Sequence, residues 1–176
     1  MKKLIFLLSL LVFFQMGLSQ DFKYIGSKKC KMCHSSKKSG EQFQLWEASS
    51  HAKAFETLAS EESKKIAKEK GIADAQKAPE CLKCHVTAYD APAAQKTTLT
   101  MEEGVGCEAC HGPGSEYKSM KVMKDVYAGK VNGATVGLIT PDEKTCKKCH
   151  NPESPTYKEF NYAEMVKMIA HPVPKK

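Results

Sequence analysis

Aromatic side chains are scarce in this sequence, at 8% of 176 residues, and tryptophan occurs once. Lysine-rich stretches interrupt the apolar residues, so side chains alone are poor material for the core of a domain this long. Alternation of apolar and polar residues is missing too, which argues against a sandwich or a barrel. After residue 18 no stretch is apolar enough to cross a bilayer. No cysteine stands without a partner, so neither a lone nucleophilic thiol nor an odd intermolecular bridge is indicated. Something other than side chains has to supply apolar bulk.

The one long apolar run comes first. Lys2 and Lys3 lead into Leu4 to Leu18, followed by Ser19 and Gln20 before the first acid, Asp21. This is the pattern of a secretory signal peptide, and it falls short of the ~20 residues a spanning helix needs. The first cysteine is Cys30, too far on for a lipoprotein. The expectation is a cleaved signal over 1–19 and one domain over 20–176, exported to a periplasm and without stable membrane insertion.

The eight cysteines form four pairs: Cys30 and Cys33, Cys81 and Cys84, Cys107 and Cys110, Cys146 and Cys149. Each pair is CxxC, and each is followed at once by histidine: His34, His85, His111 and His150. Two intervening residues let a single helical turn present both thiols to the two vinyl groups along one porphyrin edge. The next residue then lies under the ring, where its imidazole can bind iron. CxxCH is therefore a c-type haem attachment site, with the histidine as proximal ligand. A disulfide framework, two zinc ribbons or thioredoxin-like pairs would each explain the cysteines and leave the histidines unexplained. With 6 histidines in 176 residues, four such coincidences have a chance on the order of one in a million. Four covalently attached c-type haems supply the missing bulk. Their propionates also outweigh the formal charge of +7, so the lysines do not indicate nucleic acid; Lys64-Lys65 and Lys147-Lys148 read as solvated faces.

The expected fold is mainly α with much irregular loop, a compact multihaem cytochrome c with its core built around four haems. Ser27 is placed to cap the first attachment turn. Thr140-Pro-Asp-Glu143 reads as a capping box opening the helix of Cys146 to His150. Asn161 starts a helix that runs towards His171 and Pro172. Residues 60–70 read as a charged helix closed by Gly71, and 97–106 and 129–137 as loops.

Four histidines are consumed as proximal ligands, which leaves His51 and His171. Residues 42–58 read as one helix, with Phe55 and Leu58 on the face of His51, so His51 is either a core histidine or a distal ligand; the number of irons favours the ligand. His171 ends an apolar-faced helix and is read the same way. Methionine is the other common sixth ligand. Met165 and Met168 look like a core stripe, and Met120 and Met123 on a short helix after the third site are left open.

These residues together resemble the tetrahaem cytochromes that accept electrons from hydroxylamine oxidoreductase. The likeness rests on Gly26-Ser-Lys-Lys-Cys30, on Trp46 followed by His51-Ala-Lys-Ala54, on Glu80 to His85, on Gly104-Val-Gly-Cys107 through Gly112-Pro-Gly114, and on Tyr162-Ala-Glu-Met-Val166 before His171. It implies a mostly helical chain with haems stacked in pairs. It implies that His51 ligates the iron on His150 and His171 the iron on His111, while the haem on His85 is five-coordinate. In the family a histidine about ten residues after the third site completes the first haem. Here Lys121 stands there, flanked by Met120 and Met123, and a methionine, Met123 before Met120, is expected to replace it, with the Lys121 amine a third candidate. The function implied is electron transfer between redox partner proteins, with no catalytic residue. The alternative is binding or reduction of nitric oxide, or a related nitrogen species, at the open haem.

Overall fold

The structure, a computed structural model, describes residues 21–171, and among these no helix exceeds nine residues. The proposed signal peptide lies outside that range. In chain order the helices are α1 (Ser27–His34), α2 (Gln42–Glu47), α3 (Ala54–Thr57), α4 (Glu61–Glu69), α5 (Pro79–His85), α6 (Cys107–His111), α7 (Met120–Tyr127), α8 (Glu143–Lys147) and α9 (Tyr162–Ile169). Among the described residues there is no strand, only a parallel bridge between Tyr24 and Lys96. Isolated helices below ~12–15 residues are marginal in water, so these are held by what they pack against. The largest apolar cluster is small: Leu58, Ala67, Ala75, Leu82 and Val86, with Phe55 and Cys81 against it. It gathers on the second attachment helix, α5, through Leu82 and Cys81.

Local capping explains several boundaries and corrects others. The Ser60 side chain accepts from Ser63 N, and Gly71 at φ +70° closes α4 as expected. Asn161 caps α9. At α8 the cap is Asp142, paired reciprocally with Thr145, so Thr140 and Pro141 lie outside the helix, which ends at Lys147 before Cys149 and His150. Ser27 caps nothing: Gly26 holds that position, and the buried Ser27 hydroxyl accepts from Cys107 N at 3.1 Å instead. Residues 42–58 are not one helix. They break into α2 and α3, and His51 sits in the turn between them. Met165 and Met168 are no core stripe; they are 41% and 81% exposed.

That turn is where glycine matters. Gly104, at φ +63°, lies so close that a Cβ would stand 2.7 Å from the His51 carbonyl oxygen. The approach lets Val105 N donate to the same oxygen at 2.9 Å, and Trp46 Nε1 donates to Val105 O at 2.9 Å. The backbone of His51 is thereby pinned from two sides. Gly112, at φ +77°, makes the corresponding close approach to Gly137 O behind the third site.

Candidate haem sites

α1 carries Cys30, Cys33 and His34; α5 carries Cys81, Cys84 and His85; α6 carries Cys107, Cys110 and His111; α8 carries Cys146 and leads into Cys149 and His150. A single helical turn thus presents each pair, as the spacing requires. All eight cysteines are free of disulfides.

Contacts at the attachment helices also show which sites adjoin. Cys107 N at the start of α6 donates to the Ser27 hydroxyl of α1 at 3.1 Å, which sets the third attachment helix against the first. Burial and the neighbouring Cys84 push the Cys149 thiol up to about 12. Burial raises Cys110, with the nearby Cys146 adding to it. Sites one and three are therefore neighbours, as are two and four, with three against four. The attachment points run first, third, fourth, second. The ion pair between Lys83 of α5 and Glu153 after the fourth site ties two of them together.

The imidazoles are set up as ligands. His85 Nδ1 lies 2.7 Å from Ala54 O, His111 Nδ1 3.3 Å from Ile139 O, and His171 Nδ1 3.2 Å from Ile169 O. A carbonyl only accepts, so Nδ1 carries the proton and Nε2 keeps its lone pair, the arrangement usual for a metal-bound histidine. His34 Nδ1 has Gln42 Oε1 at 3.3 Å. Burial lowers the pKa of His51, His111 and His150, which keeps these rings neutral. Phe160 stacks on His150 at 4.9 Å.

Haem fit is testable on the spare histidines. His51 and His150 have ring centroids 5.9 Å apart, and His111 and His171 have theirs 5.8 Å apart. Two imidazoles each about 2 Å from a shared metal ion hold their centroids about 6 Å apart. The residues present fit an iron between each pair. The His51 turn serves two sites at once, since it also places the Ala54 carbonyl that orients His85.

Met120 is 60% exposed, whereas Met123 is half-buried on α7. Lys121 Nζ pairs with Asp125 at 2.8 Å, and that contact raises its pKa, so its amine is engaged as a cation. Reasoning from sequence missed the acids Glu103 and Glu108. Both are buried, and both accept backbone N–H groups at the start of α1. One signal was visible: Glu108 stands inside an attachment turn, where the chain elsewhere has lysine or an apolar residue.

A family model described as cytochrome c554 and c-prime matches residues 29–112, which takes in the first three sites. Cytochrome c-554 of Nitrosomonas europaea is 36% identical over 151 residues, 76% of this chain and 60% of the relative, so the chain spans about 60% of that protein's length. The solved structure of reduced cytochrome c554 from Nitrosomonas europaea superposes with a TM-score of 0.56 at 27% identity, covering 84% of this chain and 83% of that one. By sequence and by fold, this chain is similar to cytochrome c554, a c-type cytochrome, and its four CxxCH motifs fit four covalently attached c-type haems.

Proposed function

We propose that the chain is a periplasmic electron carrier that shuttles between redox partner proteins. The observation that carries this reading is the pair of imidazole couples, His51 with His150 and His111 with His171, each at a separation at which both rings would hold one haem iron. When bound, the haem irons supply one-electron chemistry. The chain keeps the same neutral imidazoles in place in both oxidation states, so little has to reorganise. The Nδ1 contacts hold the rings in orientation, and burial keeps water from replacing them. Nitric oxide chemistry at the His85 site is not favoured by the likenesses, which are to a cytochrome. Among the described residues no helix is long and apolar enough to cross a membrane. The leader over 1–19 supports export.

The test uses protein matured by a c-type haem attachment system. Intact mass should show four haems and loss of residues 1–19, and voltammetry should show reversible one-electron waves. Fewer than four haem masses, or irreversible waves, would refute the reading.

The first site, on His34, has its sixth ligand from Met123 in this reading. The half-buried position of Met123 on α7 favours it over exposed Met120, and the Asp125 ion pair favours Lys121 as a solvated cation rather than a ligand. Met123→Ala should abolish one Met-ligated low-spin ferric signal in magnetic resonance, while Met120→Ala leaves the spectrum unchanged. The reverse outcome would assign Met120.

A further inference from the structure

Between Phe22 and Gly40 the chain has six lysines and no acid. Lys28, Lys29 and Lys31 lie on α1, and Lys37 and Lys38 on the 3-10 turn Lys37–Ser39 that follows; all five are exposed. At 3.6 residues per turn, the side of α1 that bears Ser27, Cys30 and His34 faces inward. Around the rest of its circumference come Lys31, Lys28, Met32, Lys29 and then Cys33. Met32 is 88% exposed. Of the eight cysteines Cys33 alone is exposed. The cationic arc therefore ends at Cys33, an attachment cysteine of the first site.

The other sites mix the two signs. Lys83 at the second pairs with Glu153; at the fourth Lys147 pairs with Glu143 at 2.7 Å, and Asp142 and Glu143 adjoin the exposed Lys144 and Lys148. The third has Glu108 within its attachment turn. Among the described residues none of the lysines around the first site closes an ion pair; Lys31 Nζ instead stands 4.9 Å over the Phe43 ring. Glu102, at the margin, lies within the field of Lys28.

We propose that this lysine-framed face of α1 around Cys33 is the docking port for an acidic redox protein, through which electrons enter or leave the chain. The proposal rests on the electron-carrier reading. One electron crosses the interface, the partner being oxidised as this chain is reduced or the reverse, and no bond forms or breaks. A field of one sign around an exposed redox edge speeds encounter and orients it. A membrane-seeking helix would need a broad apolar face, and the exposed arc of α1 offers only Met32.

The test uses the matured holoprotein and flavodoxin, a small acidic flavoprotein, as probe. Lys28→Glu/Lys31→Glu/Lys37→Glu is compared with Lys65→Glu/Lys68→Glu/Lys130→Glu, which makes the same charge change outside α1. At low ionic strength the α1 variant should lose about tenfold or more in both the rate of reduction by flavodoxin and its calorimetric affinity for the oxidised form, and the control less than about twofold. The difference should vanish near 1 M salt, where screening acts over about 3 Å. Equal losses in the two variants would reduce the effect to net charge and overturn the port. So would α1-dependent binding to phosphatidylglycerol vesicles without binding to flavodoxin. Voltammetry with an uncharged mediator separates the two claims. Reversible cycling with no difference between the variants towards flavodoxin sinks the port alone, whereas wild type that does not cycle sinks the carrier reading and the port with it.

Discussion

Replacing His51 with alanine should open one of the four iron sites without costing the chain a haem. Attachment at that site depends on Cys146 and Cys149, which the substitution leaves in place, so the intact mass should change only by the side chain lost. What disappears is the ring whose centroid stands 5.9 Å from that of His150. One low-spin ferric signal should be replaced by a high-spin one, and the reduced protein should gain the capacity to bind one carbon monoxide. Loss of an imidazole donor favours the ferrous state, so the potential of this site should rise. His51→Met restores a sixth ligand and should return the site to low spin at a potential above that of wild type. His171→Ala should produce the same change at the His111 site, whose rings are 5.8 Å apart. An unaltered spectrum in either alanine variant would mean that the pairing does not describe the ligated state. The second site should also respond weakly to changes in the His51 turn, because the Ala54 carbonyl within it orients His85 at 2.7 Å.

The chemistry of this chain is legible because covalent attachment needs a local pattern. CxxCH reads at a glance, and a turn of helix is found under each pair. The helix starts at Ser60 and Asn161 are also local, since each cap needs only its own side chain and a backbone N–H three residues on. The reading fails where long-range contacts override local pattern. Residues 42–58 have the periodicity of one helix, but Gly104 and Val105 take the His51 carbonyl out of any helical ladder and fold the segment into a turn. Ser27 resembles a cap, yet α6, eighty residues away, claims its hydroxyl. Met165 and Met168 have core spacing in a chain whose core is not made of side chains, and they face outward. Which sites adjoin could not be read from spacing at all, because the contacts between Ser27 and Cys107 and between Cys84 and Cys149 join segments far apart in sequence.

The contact between the first and third sites depends on Glu108, and its removal should be the most costly single change to stability. Glu108 is 3% exposed. Its two oxygens accept Ile25 N at 2.9 and 3.0 Å, Gly26 N at 2.7 Å and Gly114 N at 2.6 Å. Glu103 takes the next donor, Ser27 N, at 2.6 Å. A carboxylate on α6 thus gathers the entry to α1 and the exit from its own helix. Glu108→Ala leaves three buried N–H groups without acceptors. At about 1–3 kcal/mol each, the loss should be about 3–9 kcal/mol, a large part of the ~5–15 kcal/mol that stabilises a domain. Glu108→Gln keeps the shape but turns an amide N–H₂ towards one or more of those donors, and should cost about 2 kcal/mol. The pH dependence runs against the usual carboxylate case. Burial raises the pKa of Glu108 by more than its N–H partners lower it, and Glu103 raises it further. Between the ordinary carboxylate value and this raised one, the folded chain binds a proton that the unfolded chain has released, so stability falls as pH rises through that window and levels off above it. Denaturant unfolding of the holoprotein across mildly acid to neutral pH should show this fall in wild type and a flatter profile in Glu108→Gln. An equal slope in the two proteins would place the titration on other groups and leave Glu108 as a clamp that stays ionised throughout.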